Sequence, residues 1–254
     1  MATLLLLRHG RTTANASGVL AGRTSGVRLD DLGTTQVERA GRRIAGVAIA
    51  RLVTSPQERC RQTAAAVAAA QKEAGRPKPR AVVERGLAEC DYGEWQGQQI
   101  KVLAKEPLWR TVQAQPSAVT FPGGEAMTTM QHRAVSAVRR LDAAITAEHG
   151  ADAVWVAVSH GDIIKAVLAD ALGLHLDLFQ RINVDPASIS VVRYGADRPY
   201  VLASNTHDGD LSWLAPRPAD KAAPGADGEP DGEADSGAGS DPGAVVGGGA
   251  GPAR

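Results

Sequence analysis

The stretch Thr3-Leu4-Leu5-Leu6-Leu7-Arg8-His9-Gly10 decides the fold of this chain. Its first five residues form a short, continuous nonpolar run, which is typical of a β-strand buried on both faces of a sheet. Residues 153–159 form a second such run, and it is followed by His160 and Gly161. The two stretches predict two buried strands that each end next to a histidine and a glycine.

The rest of the chain, outward from these two stretches, alternates between strand and helix patterns. Further strands are predicted at 49–54, 80–84, 188–194 and 200–204, and helices at 34–47, 56–74, 125–149 and 161–172. In the second helix we expect Ser55 to be the N-cap and Pro56 the first residue. Strands that alternate with helices of this length need crossover connections. The pattern therefore predicts an α/β three-layer sandwich, with a mostly parallel central sheet and helices on both faces.

The composition excludes several classes of protein. The 254 residues include 28 basic and 28 acidic side chains, so net charge gives no reason to expect a nucleic acid or an anionic membrane as partner. Two cysteines, Cys60 and Cys90, are too few for a disulfide scaffold or a four-cysteine zinc site. No nonpolar run approaches the roughly 20 residues of a membrane helix, and residues 1–9 lack the pattern of a signal peptide. We expect a cytoplasmic protein.

The last 40 residues differ from the rest of the chain. Residues 215–254 contain ten glycines, six prolines and ten alanines, with seven acidic and three basic side chains. Such a segment cannot bury enough nonpolar surface to offset the entropy of ordering it. We therefore expect a folded domain at 1–214 and a disordered tail at 215–254.

Three separate segments carry basic side chains to one edge of the predicted sheet. Ligands of open parallel sheets bind beyond the carboxyl ends of the strands. Arg8 and His9 follow the first strand, His160 follows another, and Arg59 lies just past a third. Two guanidinium groups and two imidazoles around one point make an anion pocket, and guanidinium groups match phosphate oxygens well.

This pocket suits phosphoryl transfer. A neutral imidazole is a competent nucleophile, and the arginines would stabilise the charge on the transferred group. The chain has no Walker loop and no aspartate cluster for a two-metal site, so we expect no metal and no cofactor. The leaving group needs an acid that stays protonated near neutral pH, which a nearby phosphate dianion would favour. Glu89, after the third strand, is the natural choice, and spacing alone does not separate it from Asp91 and Glu94.

Five motifs in order resemble the histidine phosphatase superfamily, in its phosphoglycerate-mutase-like branch. They are Arg8-His9-Gly10-Arg11-Thr12-Thr13-Ala14-Asn15, Ser55-Pro56 with Arg59 and Thr63, Leu87-x-Glu89 with Gly93-x-Trp95-x-Gly97, Pro122-Gly123-Gly124-Glu125, and Ser159-His160-Gly161. The resemblance covers roughly residues 3–207 and implies the phosphoglycerate-mutase-like fold.

The resemblance also implies roles for individual residues. His9 would be the phosphorylated residue, with its ring oriented by the carbonyl of Gly10. The phosphoryl group would be held by Arg8, Arg59 and His160, with a further donor from Asn15. Glu89, rather than Asp91 or Glu94, would be the proton donor and later the base for water. Gly22 and Gly161 are further candidates for phosphate contact, although residues 22–30 depart from the family pattern because they lack its proline.

The predicted function is hydrolysis of a small phosphomonoester through a phosphohistidine. The resemblance leaves a phosphomutase as the alternative. The glycolytic mutases of the family carry a longer, basic insertion where this chain has only residues 97–122, and a short lid favours a phosphatase, which must admit water. A non-catalytic phospholigand-binding protein is a third alternative. The substrate and the choice between monomer and homodimer stay open.

The remaining histidines and cysteines have simpler interpretations. His132, His149 and His175 are predicted to lie at the surface, and His207 to hold the end of the chain. A redox switch at Cys60 or Cys90 stays open, although packing in the interior is favoured. Trp109 and Phe121 suit either core packing or the wall of a substrate pocket.

Overall fold

The computed structural model describes residues 2–207, so the predicted tail and the domain boundary at 214/215 lie outside the described residues. The described strands are β1 (Thr3–Arg8), β2 (Arg51–Thr54), β3 (Ala81–Val83), β4 (Val154–Ser159), β5 (Ile189–Tyr194) and β6 (Pro199–Thr206). The α-helices are α1 (Thr13–Ala16), α2 (Asp31–Ile44), α3 (Glu58–Glu73), α4 (Ile100–Leu103), α5 (Pro107–Ala114), α6 (Met127–His149) and α7 (Gly161–Ala171). Within residues 2–207, no helix has the length and hydropathy needed to cross a membrane.

The six strands form one mixed sheet in the order β3-β2-β4-β1-β5-β6. Strands β3, β2, β4 and β1 run parallel, while β5 is antiparallel to β1 and β6 to β5. The two histidine-terminated strands, β1 and β4, are neighbours in register, with Arg8 opposite Ser159. The prediction of a mostly parallel α/β sheet is therefore confirmed.

Strand β1 contributes to two hydrophobic cores because successive side chains point to opposite faces of the sheet. Leu4 and Leu6 belong to the core under α6 and α7, whereas Leu7 belongs to the core under α2 and α3. The helices accordingly cover both faces, as a nonpolar run without alternation predicts.

Three helices begin at other residues than the sequence suggests. Helix α2 starts at Asp31 because the Asp30 side chain caps it, accepting from the N–H of Gly33 at 2.7 Å. Helix α3 starts at Glu58, and its N-cap, Gln57, makes no side-chain cap bond. The prediction of Ser55 as N-cap is therefore wrong, since its hydroxyl bonds to His160 instead. Helix α6 starts at Met127, two residues later than predicted.

The short lid, residues 97–122, is packed onto the core under α6 and α7. It contains α4 and α5, and Trp109 stacks on Trp95 with ring centroids 6.1 Å apart. Phe121 is buried and lies edge-on to Tyr92 and Trp95 at 5.0 and 5.3 Å. Phe121 therefore packs in the protein interior, and Trp109 packs partly buried against the same core.

Candidate active site

The two histidines meet at the carboxyl ends of β1 and β4. The backbone N–H of His9 donates to the carbonyl of Ser159 at 3.0 Å, which holds the two strand ends together. The imidazole rings of His9 and His160 lie edge to face, with centroids 5.2 Å apart. Both rings are buried, so the two histidines form a buried polar cluster at the sheet edge that the sequence predicts.

Contacts on both ring nitrogens define the protonation state of His9. Its Nδ1 lies 2.7 Å from the carbonyl oxygen of Gly10, which can only accept, so Nδ1 carries the proton. The Nε of Arg59 donates to Nε2 at 3.2 Å, so Nε2 presents a lone pair. Burial lowers the pKa of His9 well below its ordinary value, and the charges of Arg59 and Arg8 lower it further. His9 is therefore a neutral imidazole with its lone pair at Nε2.

His160 is the opposite tautomer. The Nη2 of Arg59 donates to Nδ1 at 3.1 Å, so the proton lies on Nε2, which contacts the Ser55 hydroxyl at 2.6 Å and the Gln57 amide oxygen at 3.1 Å. The Ser55 hydroxyl in turn donates to that amide oxygen. Burial, followed by the charge of Arg59, lowers the pKa of His160 well below its ordinary value.

Arg59 is the centre of this arrangement. Besides contacting both imidazoles, it donates through Nη2 to the carbonyl of Gly22 at 2.7 Å. Its Nη1 is buried and has no hydrogen-bond partner within residues 2–207. A buried guanidinium nitrogen without an acceptor is costly, so this atom marks a place for an anionic ligand oxygen.

Arg8 and the first turn of α7 add positive potential at the same edge. Arg8 is fully buried, donates from Nη1 to the carbonyl of Val184 at 2.8 Å, and lowers the pKa of His9 through its charge. Gly161 opens α7, whose N-cap, His160, makes no side-chain cap bond. The free N–H groups of a first helical turn favour anions.

Glu89 is the carboxyl group that shares the pocket with the histidines. Its Oε2 lies 3.8 Å from Nδ1 of His160, and its Oε1 accepts from the N–H of Cys90 at 3.0 Å. Burial raises the pKa of Glu89 to about 8, and the charge of Asp162 contributes. From the sequence, we expect a bound phosphate dianion to raise the pKa of this carboxyl group. In the structure, burial raises the pKa of Glu89 without a ligand.

The two competing carboxyl groups have other surroundings. Asp91 is partly exposed, accepts from the N–H of Gly93 at 3.2 Å and pairs with Arg23 at 3.3 Å. Glu94 is exposed. Of the three carboxyl groups, only Glu89 is buried against a histidine.

Asn15 and Gly22 make hydrogen bonds that the sequence does not indicate. The side-chain oxygen of Asn15 accepts from the N–H and hydroxyl of Thr12 at 3.1 and 2.8 Å, in the capping box of α1. This leaves its amide N–H groups as the donors for a ligand. Gly22 contributes its carbonyl oxygen, which holds Arg59 and cannot donate to a phosphate.

Sequence reasoning missed several residues that contact this site. Ser55 and Gln57 bind His160, but Ser55-Pro56 also fits a helix start, so the local pattern concealed the contact. Asp162 lies in the first turn of α7 and accepts from the hydroxyl of Tyr92 at 2.7 Å. The only local signal for Asp162 is its position two residues after His160.

The remaining histidines and cysteines lie where the sequence suggests. His132, His149 and His175 are exposed. His207 bonds to Asp185 at 3.1 Å and so holds the end of β6 to the loop before β5. Both cysteines are buried and unpaired, and burial raises the pKa of Cys60 to about 12. Within residues 2–207, no three or more His, Cys, Asp or Glu side chains are grouped in a way that could hold a metal ion.

Comparisons with known proteins identify the family of this chain. The family profile described as histidine phosphatase superfamily (branch 1) matches residues 4–207. A bifunctional protein of Mycobacterium tuberculosis is 33% identical over 197 residues, which are 76% of this chain and 50% of that protein. The chain thus spans about half the length of that relative.

Two further similarities cover nearly the whole of the related protein. An acid phosphatase of Mycobacterium tuberculosis is 31% identical over 209 residues, with 80% of this chain and 93% of that protein covered. The solved structure of a mycobacterial glucosyl-3-phosphoglycerate phosphatase in complex with VO3 has a TM-score of 0.68 and 25% identity. The match covers 81% of this chain and 99% of the phosphatase chain.

Proposed function

Since the chain belongs to the histidine phosphatase superfamily (branch 1), we propose that it is a phosphomonoester hydrolase that works through a phosphohistidine on His9. The observation that carries the proposal is the set of contacts around Arg59. The guanidinium group of Arg59 donates from Nε to His9 Nε2, and its Nη1 has no acceptor within residues 2–207. A phosphoryl group bound at Nη1 would lie beside the nucleophile.

In the first step, Arg59 Nε exchanges its hydrogen bond to His9 Nε2 for one to a phosphoryl oxygen. The freed lone pair of Nε2 then attacks phosphorus and forms an N–P bond. The P–O ester bond breaks, and the leaving alkoxide takes the proton of Glu89.

Arg8, Arg59, Gly161 and the amide of Asn15 are the candidates for holding the phosphoryl oxygens. Their charges and N–H groups would stabilise the charge that develops on these oxygens. His160 would act through Arg59, because its Nδ1 accepts from that guanidinium group and its Nε2 proton faces Ser55 and Gln57.

In the second step, the carboxylate of Glu89 takes a proton from water, and the water oxygen attacks phosphorus. The N–P bond breaks, which releases inorganic phosphate, the neutral imidazole and a protonated Glu89. No metal ion takes part in this scheme, because Arg8 and Arg59 supply the positive charge.

The substrate class that we propose is a small phosphorylated metabolite. The related proteins that are at least 30% identical include an acid phosphatase and a glucosyl-3-phosphoglycerate phosphatase, whereas the related probable phosphoglycerate mutases are 28% identical, which supports a phosphatase over a mutase. The short lid supports the same choice, because a mutase must retain its dephosphorylated intermediate and exclude water. The presence of both His9 and Glu89 argues against a binding protein without activity.

The test is to incubate the protein with a 32P-labelled phosphomonoester in the presence of a chelator, quench part of it in alkali, and measure inorganic phosphate in the rest. We expect acid-labile label on the protein and stoichiometric phosphate release, both lost in His9→Ala. Label that persists in His9→Ala would overturn the proposal. Transfer between two positions of one substrate with little free phosphate would indicate the mutase, and dependence on added metal would contradict the metal-free scheme.

A further inference from the structure

Two guanidinium groups hold the backbone of Glu89. The carbonyl oxygen of Glu89 accepts from Nε of Arg23 at 2.9 Å and from Nη2 of Arg133 at 3.0 Å. Arg133 also donates from Nη1 to the carbonyls of Gly86 and Ala88, at 2.9 and 2.7 Å. One side chain of α6 therefore binds three of the four carbonyl groups in residues 86–89.

Glu125 joins these two arginines. Its Oε1 accepts from Nη2 of Arg133 at 2.6 Å, from Nη2 of Arg23 at 2.9 Å and from the N–H of Asp91 at 2.8 Å. Its Oε2 accepts from Nε of Arg133 at 3.0 Å. Although burial raises the pKa of Glu125, these hydrogen bonds and charges lower it overall, so the group stays ionised.

The carboxylates of Glu125 and Asp91 balance the charges of Arg23 and Arg133. The two guanidinium groups are thus occupied by protein carboxylates and carbonyls. This arrangement fits a role in holding the protein rather than in binding the substrate.

The loop that carries Arg23 also reaches the other side of the site. The carbonyl of Gly22 accepts from Arg59, while the next residue, Arg23, binds Glu89. Gly22 and Arg23, which are adjacent in the chain, therefore connect Arg59, which faces His9, to the backbone of Glu89.

The carboxyl group of Glu89 itself is buried but makes few polar contacts. Within residues 2–207, its hydrogen bond is the one to the N–H of the adjacent Cys90, and its Oε2 approaches His160 only to 3.8 Å. The place of this carboxyl group relative to a leaving oxygen consequently depends on where its backbone is held. A displacement of about 1 Å in a catalytic group can lower a rate about 100-fold.

We propose that Arg133 and Arg23, joined through Glu125, are positioning residues for the proton donor Glu89, an inference that rests on the function proposed above. They act through Glu89 in both steps, and kcat/KM reports the first of these, the transfer of the Glu89 proton to the leaving oxygen as the P–O bond breaks. Their loss should therefore matter most for substrates whose leaving group needs that proton.

The test compares kcat/KM for glycerol phosphate, whose alkoxide needs a proton, with that for 4-nitrophenyl phosphate, whose leaving group does not. In Arg133→Met we expect a loss of about 100-fold on glycerol phosphate and less than about 3-fold on 4-nitrophenyl phosphate. Arg23→Met, which removes one of the two bonds to Glu89, should show a smaller loss with the same preference. Arg139→Met is the matched control, because Arg139 lies on the same helix and pairs with Asp170, away from residues 86–89.

Thermal melting checks that each variant folds, and Arg23→Met decides the matter if Arg133→Met does not fold. Equal losses on both substrates, or no loss on either, would overturn the positioning role. Glu89→Gln, assayed in parallel, separates the two proposals. If Glu89→Gln loses activity mainly on glycerol phosphate and the arginine variants do not, only the positioning role is overturned. If Glu89→Gln loses equal activity on both substrates, Glu89 is not the acid, and the positioning role is overturned with it.

Discussion

At the scale of single residues, burial moves the pKa values of His9 and Glu89 in opposite directions. Taking a group out of water disfavours its charged form, so the imidazole loses its proton more easily and the carboxyl group keeps its proton longer. Near neutral pH the pocket accordingly contains a neutral base and a neutral acid side by side. A nucleophile and a proton donor need these two states at once.

The raised pKa of Glu89 predicts the alkaline limit of activity. Because the proton donor is lost above its pKa of about 8, we expect kcat/KM for glycerol phosphate to fall tenfold per pH unit beyond that value. For 4-nitrophenyl phosphate this alkaline limb of the pH profile, the fall in kcat/KM above about pH 8, should be absent or weak. The measurement is a pH profile of kcat/KM for both substrates.

Asp91→Asn serves as the control for this pH profile and should leave the limb in place. A limb of equal steepness on both substrates would contradict the assignment to Glu89. So would a limb that disappears in Asp91→Asn.

At the scale of elements, helix α2 fits directly against the loop that carries His9. The N–H of Asp30 donates to the carbonyl of Arg11 at 3.1 Å, and the two side chains pair at 2.8 Å. At Gly33 the helix backbone approaches so closely that a Cβ atom would overlap the carbonyl oxygen of Arg11. The absence of a side chain at Gly33 therefore sets the distance between α2 and the catalytic loop.

This close approach predicts that Gly33→Ala is destabilising. Alanine is usually better than glycine inside a helix by about 1 kcal/mol. Here the overlap should outweigh that gain and lower the free energy of unfolding by about 1–3 kcal/mol. We expect urea denaturation to show the loss, together with reduced phosphatase activity from a displaced His9.

The control for the close approach is Thr35→Ala, on the exposed side of the same helix. It should keep both stability and activity. A Gly33→Ala protein as stable as the wild type would show that the loop and helix can separate without cost.

At the scale of the whole molecule, the same buried groups make stability depend on pH. Below the ordinary histidine pKa of 6.5, unfolding adds about two protons, at His9 and His160, so the free energy of unfolding falls as the pH falls. Between its ordinary value of 4.5 and its folded value of about 8, Glu89 keeps a proton that the unfolded chain releases. That term lowers stability as the pH rises.

The sum of these terms predicts a maximum of stability near pH 6.5. Each proton contributes about 1.4 kcal/mol per pH unit, and the net difference is about one proton on either side of the maximum. Because that difference grows from zero at the maximum, we expect the free energy of unfolding to be lower by roughly 0.5 kcal/mol at both pH 5.5 and pH 7.5. Urea denaturation at the three pH values measures it.

Glu89→Gln tests the origin of this maximum. It should remove the decrease above pH 6.5 and steepen the decrease below it. A wild-type curve that rises or falls steadily from pH 5.5 to 7.5 would contradict the account.

Local sequence patterns were enough to predict the sheet and much of the site. Nonpolar runs and the residues that end them are local properties, so β1, β4 and the placement of Arg8, His9, Arg59 and His160 at one edge could be predicted. The start of α3 could not, because Ser55 suits a cap and only its distant neighbour His160 prevents it from serving as one.

Which polar groups are partners, and which of them are buried, depends on the folded chain. Ser55 and His160 are 105 residues apart, and Arg133 and Glu89 are 44 apart. Spacing left Glu89, Asp91 and Glu94 equivalent, and burial of Glu89 alone against His160 separates them. Hydrogen-bond partners and pKa values depend on distances through space, and the packing of the helices on the sheet sets those distances.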